Sequence, residues 1–415
     1  MRIALFACAV LALIACAPST PMAQDAGTDD GSIADASMPR DAYRAPDVGT
    51  DAGPIPDDLE GFIEYQMRVG RIPGLAAAIL DHGAVVRVVT RGMANDTTPV
   101  DEHTLFTVAS ISKTFVCALI LQLVEEGRID LDAPASTYLG FSVSSDQAPG
   151  REITVRELMT HTSGISDDWI ALGQVTVEGD PTTTLEEFSS EYVAVPAHFA
   201  AAPETQYDYC NACFGLLGAV IEGASGETVR ARTQRLLVDP LMLDGAGWWL
   251  ADVDAAHLAV EYTTGTTDAD GNTTYRANPQ RGFGHYTATS MHISITGLSR
   301  WLLGHIQDGT LDGAQFLSAE SVAETRRIQY PAIASRQGLV WYRRSLAGST
   351  WLGHSGESFG TSANMLYRDD GRGLVLLTNS DAYLRETFGR TEGQDAMNAI
   401  LVRMSQEADA LAATP

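Results

Sequence analysis

A serine and a lysine three positions apart are the two side chains in this sequence best placed to do chemistry together. They are Ser110 and Lys113, in the run Ser-Ile-Ser-Lys. A serine hydroxyl is a weak nucleophile until a neighbouring base accepts its proton. Residues three apart share a face of a helix, so a helix here would place the amine of Lys113 beside the hydroxyl of Ser110. The spacing therefore predicts a serine nucleophile that is activated by a lysine.

Lys113 is the only lysine among the 415 residues, although the chain carries 26 arginines. Arginine can replace lysine wherever only a positive charge is needed, but its guanidinium does not give up its proton. A single lysine in a chain that otherwise uses arginine is therefore where a proton-transferring lysine should be sought. The rest of the sequence must then provide a setting in which this amine can be neutral.

The sequence around the pair predicts such a setting. Apolar residues between Ser110 and Glu126 cover every face of the predicted helix, which ends at Gly127. Such a helix lies inside a domain, where loss of water lowers the pKa of a lysine. Ser110 would lie at the helix N-terminus, where free N–H groups favour developing negative charge. The alternative interpretation, a capping serine with a surface lysine, conflicts with this apolar pattern.

The elements that must position the pair come from both ends of the chain. A helix is predicted from Leu59, with Asp57 or Asp58 as its N-cap, and a β-hairpin is predicted around the turn at 81–83. A last helix is predicted over Arg390–Leu411. Between them lie four strand-like runs: Leu339–Arg343, Ser349–Gly353, Ala363–Tyr367 and Leu374–Thr378. This order predicts an α/β (α+β) fold, an antiparallel sheet flanked by terminal helices, with an inserted, mostly helical region at about 145–300.

The first 57 residues are expected to lie outside this fold. Arg2 is followed by an apolar run from Ile3 to Ala15, which is too short to span a bilayer, so residues 1–16 are typical of a signal peptide. The ending Leu-Ile-Ala-Cys resembles the lipobox of bacterial lipoproteins, and this implies acylation of Cys16. An ordinary cleavage site at the small residues around Cys16 is the alternative. Residues 17–57 are rich in Asp, Ala, Gly and Pro and predict a disordered linker, so the folded domain is expected to span 58–415.

Four motifs in order resemble those of the serine hydrolases that include class C β-lactamases, D-alanyl-D-alanine carboxypeptidases, D-aminopeptidases and related esterases. The resemblance covers about 60–410. The matching segments are Phe106–Lys113, Leu158–Gly164, Tyr209-Cys210-Asn211 followed by Gly215–Gly218, and His354-Ser355-Gly356. It implies a β-lactamase/transpeptidase-like fold and hydrolysis of an amide or ester through an acyl-enzyme. Ester, D-amino-acid peptide and β-lactam substrates stay open, because fold and nucleophile do not select the acyl group.

The resemblance also implies roles for the partners of the pair. Ser110 would attack the carbonyl, and Tyr209, near Lys113, would relay the proton as general base and acid. Asn211 would position Lys113 and the substrate amide. Water would then release the acyl group.

The third motif would contribute to substrate binding. His354 and Gly356 would lie on an edge strand of the site, and the backbone N–H groups of Ser110 and Glu357 would form an oxyanion hole. The motif has His354 where the family also uses lysine. A fixed cation for a β-lactam carboxylate is therefore expected to be absent or pH-dependent, which lowers the expectation of efficient β-lactamase activity.

The cysteines allow several interpretations. Cys210 and Cys213 could be a redox pair, a local disulfide or two buried thiols, and an unreactive structural role is favoured. Cys117 is expected to be buried in the helix that follows Ser110. His161 is expected to have a structural role at a helix end.

Two rival functions have some support in the sequence. Gly356–Gly360 matches Gly-x-Ser-x-Gly, the nucleophile elbow of α/β-hydrolases, but that elbow needs a following helix and a later histidine, and His354 is the last histidine. The other rival is a catalytically inactive sensor or binding module on the same fold. Loss of Ser110, Lys113 or Tyr209 would have indicated it, and all are present.

Composition narrows the partners. The formal charge is −26, which argues against binding nucleic acid or anionic lipid through charge. No Cys/His cluster has zinc spacing, and the reaction needs no metal or cofactor. We expect a monomer that acts on a small-molecule or peptide acyl substrate and touches the membrane only through a lipid anchor. We also expect export to the periplasmic or exterior side of a bacterial membrane, the outer membrane in preference to the inner.

Overall fold

The computed structural model of the protein describes residues 54–267, 273–382 and 392–412. The predictions of a signal peptide, of acylation at Cys16 and of a linker therefore lie outside the described residues, apart from the last few positions of the linker. The last predicted helix is described from Glu392 onwards.

Strands and helices are numbered here along the chain. The strands are β1 Gly74–Asp81, β2 Ala84–Gly92, β3 Phe106–Thr107, β4 Thr176–Glu178, β5 Tyr262–Thr267, β6 Thr273–Ala277, β7 Arg281–Phe283, β8 His292–Ile293, β9 Thr310–Leu311, β10 Ala314–Gln315, β11 Tyr342–Leu346, β12 Ser349–Ser358, β13 Thr361–Tyr367 and β14 Gly373–Thr378. The helices are α1 Leu59–Gly70, α2 Ser112–Glu125, α3 Val155–Met159, α4 Trp169–Gln174, α5 Leu185–Val193, α6 Ala212–Ser225, α7 Val229–Thr233, α8 Asp239–Leu241, α9 Ile295–Ile306, α10 Ala319–Arg326 and α11 Glu392–Ala412.

The central sheet is built from both ends of the described chain. Its six strands follow the order β11-β12-β13-β14-β1-β2, and every neighbouring pair is antiparallel. Leu75 of β1 pairs with Thr378 of β14 on one side and with Arg91 of β2 on the other. The predicted hairpin at 81–83 and the predicted antiparallel sheet are confirmed.

One predicted strand is offset. The sequence predicts a strand over Leu339–Arg343, but β11 begins only at Tyr342. Val340 has a φ of +68°, and its N–H donates to the carbonyl of Met159 and not to the sheet. Leu339 and Val340 are fully buried, so their apolar character reflects core filling by irregular backbone.

The terminal helices cover one face of the sheet. Ile63 of α1 and Ile400 of α11 share one buried apolar cluster with Leu376 of β14. Asp58 caps α1 by accepting the N–H of Gly61, which selects it over Asp57 as the N-cap. This layer confirms that terminal helices flank the sheet.

The other face carries the larger apolar core and the remaining helices. Helix α9 packs across β1, β13 and β14, and α2 lies deeper within the same core. Phe115 of α2 stacks on Trp301 at 4.3 Å between ring centroids and meets the edge of Trp248. The prediction of a buried helix after Ser110 is confirmed, with one difference: Ala109–Ile111 forms a 3-10 turn before α2 begins.

Within the described ranges, no helix combines the length and the apolar composition that crossing a membrane requires. Between about 145 and 300, helices alternate with short two-stranded ladders that pair β4 with β7 and β5 with β6.

Candidate active site

Ser110 lies where the 3-10 turn before α2 meets strand β12. Ala109 has a φ of +45°, a left-handed conformation that costs a residue with a Cβ about 1–2 kcal/mol. Packing holds this turn in place, because the N–H of Val108 donates to the carbonyl of Met291 and Gly356 of β12 lies directly against it. A Cβ added at Gly356 would lie 2.0 Å from the carbonyl oxygen of Val108 and 3.1 Å from the nitrogen of Ser110. Strain and close approach together fix the position of the serine.

Lys113 is fully buried one turn further on. Its Nζ lies 3.0 Å from Oγ of Ser110, 2.8 Å from Oδ1 of Asn211 and 2.8 Å from the carbonyl oxygen of Ala288. Burial lowers the pKa of Lys113 to about 7, and the carboxylate of Asp167 opposes part of that fall. When its two N–H groups donate to Asn211 and Ala288, the lone pair of the neutral amine faces the hydroxyl of Ser110. The arrangement can therefore accept the proton of Ser110 near neutral pH.

Tyr209 lies beside Lys113. The Tyr209 ring stacks on the ring of His161 at 4.3 Å between centroids. Nζ of Lys113 lies 5.0 Å from the centroid of the Tyr209 ring. Burial raises the pKa of Tyr209 well above its ordinary value, so the phenol keeps its proton at neutral pH. These electrostatics favour Lys113 as the first proton acceptor and Tyr209 as a hydroxyl donor.

His161, from the motif Leu158–Gly164, contacts the segment that begins at Tyr209. Its Nδ1 accepts the N–H of Cys210 at 3.1 Å, and its ring lies between Tyr209 and Phe214. Burial lowers the pKa of His161 well below its ordinary value, so the ring is neutral. Its φ of +60° is a second left-handed conformation beside the site.

Asn211 is held at both ends of its side-chain amide. Oδ1 accepts from Lys113, and Nδ2 donates to the carboxylate of Asp167 at 2.7 Å. Asp167 also accepts the backbone N–H groups of Asn211 and Ala212, each at 2.9 Å. Sequence reasoning missed Asp167, which lies in a loop; the one available signal was its position three residues after the motif that ends at Gly164.

Cys210 and Cys213 form a disulfide, one of the three interpretations that the sequence left open. Both residues are fully buried, and the bridge ties the residue between Tyr209 and Asn211 to the first turn of α6. Cys117 is a buried free thiol whose pKa burial raises.

His354 lies beside Lys113 on strand β12 and is almost fully buried. Its Nδ1 donates to the carbonyl of Ser355 at 2.5 Å, and its ring lies 5.1 Å from that of Tyr342. Burial, with a smaller contribution from the charge of Lys113, lowers the pKa of His354 to about 3. The third motif therefore presents a neutral imidazole in place of a fixed cation.

The side chain of Glu357 points away from the face of β12 that Gly356 presents to Ser110. Successive side chains of a strand point to opposite faces, so Glu357 shares the face of Trp351, which packs in the cluster beneath the terminal helices. Burial raises the pKa of the Glu357 carboxyl to about 8. Gly356 faces Ser110, because a Cβ added to it would lie 3.1 Å from the nitrogen of Ser110.

Comparisons with known proteins show which proteins the chain resembles. The profile of a family described as Beta-lactamase matches residues 59–395. The sequence is 29% identical over 228 residues to the esterase EstB of Burkholderia gladioli, which covers 52% of this chain and 56% of the esterase. It is 27% identical over 320 residues to penicillin-binding protein 4 of Amycolatopsis lactamdurans, which covers 74% of this chain and 81% of that protein. The chain thus spans only about half the length of the esterase.

Two solved structures share the fold. The octameric penicillin-binding protein homologue from Pyrococcus abyssi superposes with a TM-score of 0.67 at 24% identity and covers 84% of this chain and 77% of its own. The D-amino acid amidase from Ochrobactrum anthropi SV3 gives a TM-score of 0.66 at 20% identity, over 85% of this chain and 98% of its own. At these identities the likeness shows the fold alone.

Gly356→Ala tests the close approach of β12 to the nucleophile. Because the new Cβ would overlap the carbonyl oxygen of Val108, 2.0 Å away, the turn that carries Ser110 must shift. We expect labelling of the protein by a fluorophosphonate, followed by intact mass, to slow by about 100-fold. Gly173→Ala is the control, since nothing lies within 4 Å of a Cβ there. Wild-type labelling of Gly356→Ala would contradict the described geometry.

Proposed function

The chain belongs to the beta-lactamase family of serine hydrolases, and we propose that it hydrolyses an amide or ester through an acyl-enzyme on Ser110. One observation carries this proposal: the buried amine of Lys113, with a pKa of about 7, lies 3.0 Å from the serine hydroxyl. At neutral pH a large fraction of this amine is unprotonated and able to act as a base.

The proposed reaction has two steps. In the first, Lys113 takes the proton of Ser110 while the serine oxygen attacks the substrate carbonyl. The neutral phenol of Tyr209 then gives its proton to the leaving group and regains one from Lys113. In the second, water attacks the acyl-enzyme with the same groups in reversed roles. Backbone N–H groups of Ser110 and Glu357 would donate to the oxyanion in both steps.

The neutral state of His354 favours substrates without a carboxylate next to the scissile bond. The single proton of the neutral ring lies on Nδ1, which donates it to Ser355, so Nε2 has no N–H to offer a carboxylate. A hydrogen bond to a charged group, which contributes about 1.5–3 kcal/mol, is therefore lost to such substrates. We therefore propose esters and uncharged amides as the substrate class, ahead of β-lactams. A catalytically inactive module on this fold finds less support, because all three residues are present: Nζ of Lys113 lies 3.0 Å from Oγ of Ser110 and 5.0 Å from the ring centroid of Tyr209.

We also propose that the protein is exported, is acylated at Cys16 and works as a monomer on a small-molecule or peptide substrate. This rests on the sequence alone. Mass spectrometry of the mature N-terminal peptide would show a lipid-modified Cys16, whereas an unmodified N-terminus beginning elsewhere would contradict the anchor.

Serine and lysine variants test the proposed nucleophile and base. Wild type should form a single fluorophosphonate adduct, and Ser110→Ala should form none. Lys113→Arg should slow adduct formation by at least about 100-fold, because guanidinium keeps its proton and general-base catalysis contributes that much or more. Ser142→Ala, a surface serine, is the matched control. An adduct that persists in Ser110→Ala would refute the nucleophile, and near-wild-type labelling of Lys113→Arg would refute the base.

Three chromogenic or peptide substrates test the substrate class. The value of kcat/KM for a short-chain p-nitrophenyl ester should exceed that for a chromogenic cephalosporin by at least about tenfold, since the cephalosporin carboxylate meets no cation at His354. A D-Ala-D-Ala peptide, which also carries a carboxylate, should rank with the cephalosporin. Faster turnover of either carboxylated substrate than of the ester would contradict the proposal.

A further inference from the structure

A buried carboxylate behind Asn211 has no part in the reaction as described above. Asp167 precedes helix α4 and accepts three hydrogen bonds, from the side-chain amide and backbone N–H of Asn211 and from the N–H of Ala212. All three partners belong to the segment that begins helix α6. The neighbouring Asp168 has a different task, since it caps α4 through Ile170 and Ala171.

The hydrogen bonds to Asp167 and Lys113 allow the side-chain amide of Asn211 only one orientation. Because Nδ2 must donate to Asp167, Oδ1 points away from it and meets Lys113 at 2.8 Å. A flipped amide would place an oxygen against the carboxylate and an N–H against the amine of Lys113. Only the observed orientation leaves the lone pair of Lys113 free for Ser110.

We propose, on the basis of the function proposed above, that Asp167 is a positioning residue which orients Asn211 and whose charge keeps Lys113 able to exchange its proton near neutral pH. The first half follows from the hydrogen bonds. The second follows from the charges around the amine.

Among the described residues, the other titratable groups that face Lys113 are neutral. They are Tyr209 on the loop before α6, His161 after α3, His285 after β7 and His354 on β12. Burial keeps the phenol protonated and the three imidazoles uncharged, with the pKa of His285 and of His354 lowered to about 3. The field of Asp167 is the charge effect that raises the pKa of Lys113 against burial. Removing that charge should move the titration of Lys113 to lower pH.

Asp167→Asn removes the charge and keeps the shape, and Asp168→Asn is the matched control at the adjacent position. The readout is the rate of fluorophosphonate acylation as a function of pH in the full chain. For Asp167→Asn we expect the plateau rate to fall by about 10- to 100-fold, because the amide of Asn211 loses its anchor. On the acid side of the profile the rate falls as Lys113 becomes protonated. We expect the midpoint of this acid limb to move down by about half a pH unit or more, because protonated Lys113 loses a stabilising charge. Asp168→Asn should change neither.

A lower plateau with an unmoved acid limb would overturn the proposal, because a purely structural role predicts that result; so would a wild-type profile. If Asp167→Asn does not fold, as judged by circular dichroism, Asp167→Glu replaces it: the retained charge should leave the acid limb in place while the longer side chain lowers the plateau. An acid limb that moves in Asp167→Glu would overturn the proposal. Failure of wild type itself to label at Ser110 would instead refute the proposed function, so the two failures are distinguishable.

Discussion

The burial of one amine governs the rest of this structure. Removing an ammonium group from water is costly, and a protein accommodates it by hydrogen bonding the group, by pairing it with charge or by letting its pKa fall. All three occur at Lys113: two carbonyl oxygens accept its N–H groups, Asp167 provides a nearby negative charge, and the pKa still falls to about 7. The cost of burial is thereby converted into a base that is available at neutral pH.

The groups that meet this amine come from parts of the chain that are far apart in sequence. Ser110 comes from the turn before α2, Asn211 from the start of α6 and Ala288 from the turn after β7. The central sheet contributes His354 and the close approach of Gly356. Left-handed residues at Ala109 and in the His161 turn show that backbone strain is stored beside the site, where the surrounding packing can hold it.

Much of this could be predicted from sequence because the signals are local or repeated. Spacing placed Ser110 and Lys113 on one face, apolar residues on every face predicted that α2 is buried, and alternation with turn residues predicted the hairpin. Prediction failed where the same residues could be buried by more than one backbone conformation, or where a residue's partners are distant in sequence. The run at Leu339 is apolar because irregular backbone fills the core there, and hydrophobicity does not distinguish that from a strand. Asp167 could not be predicted, because a lone aspartate in a loop follows no sequence pattern. The three N–H groups that donate to its carboxylate become its neighbours only in the fold.

Titration of Lys113 is the most direct test of its role as the base, and the sequence allows this amine to be observed without overlap from other lysines. Because the chain has one lysine, protein labelled with 13C-lysine gives a single lysine ε-carbon resonance, whose shift with pH reports the protonation of this amine alone. We expect the buried amine to titrate with a midpoint near pH 7 in the folded protein. A midpoint near the ordinary lysine value of about 10.4 would show that the amine stays charged at neutral pH, and it would contradict the role of Lys113 as the base.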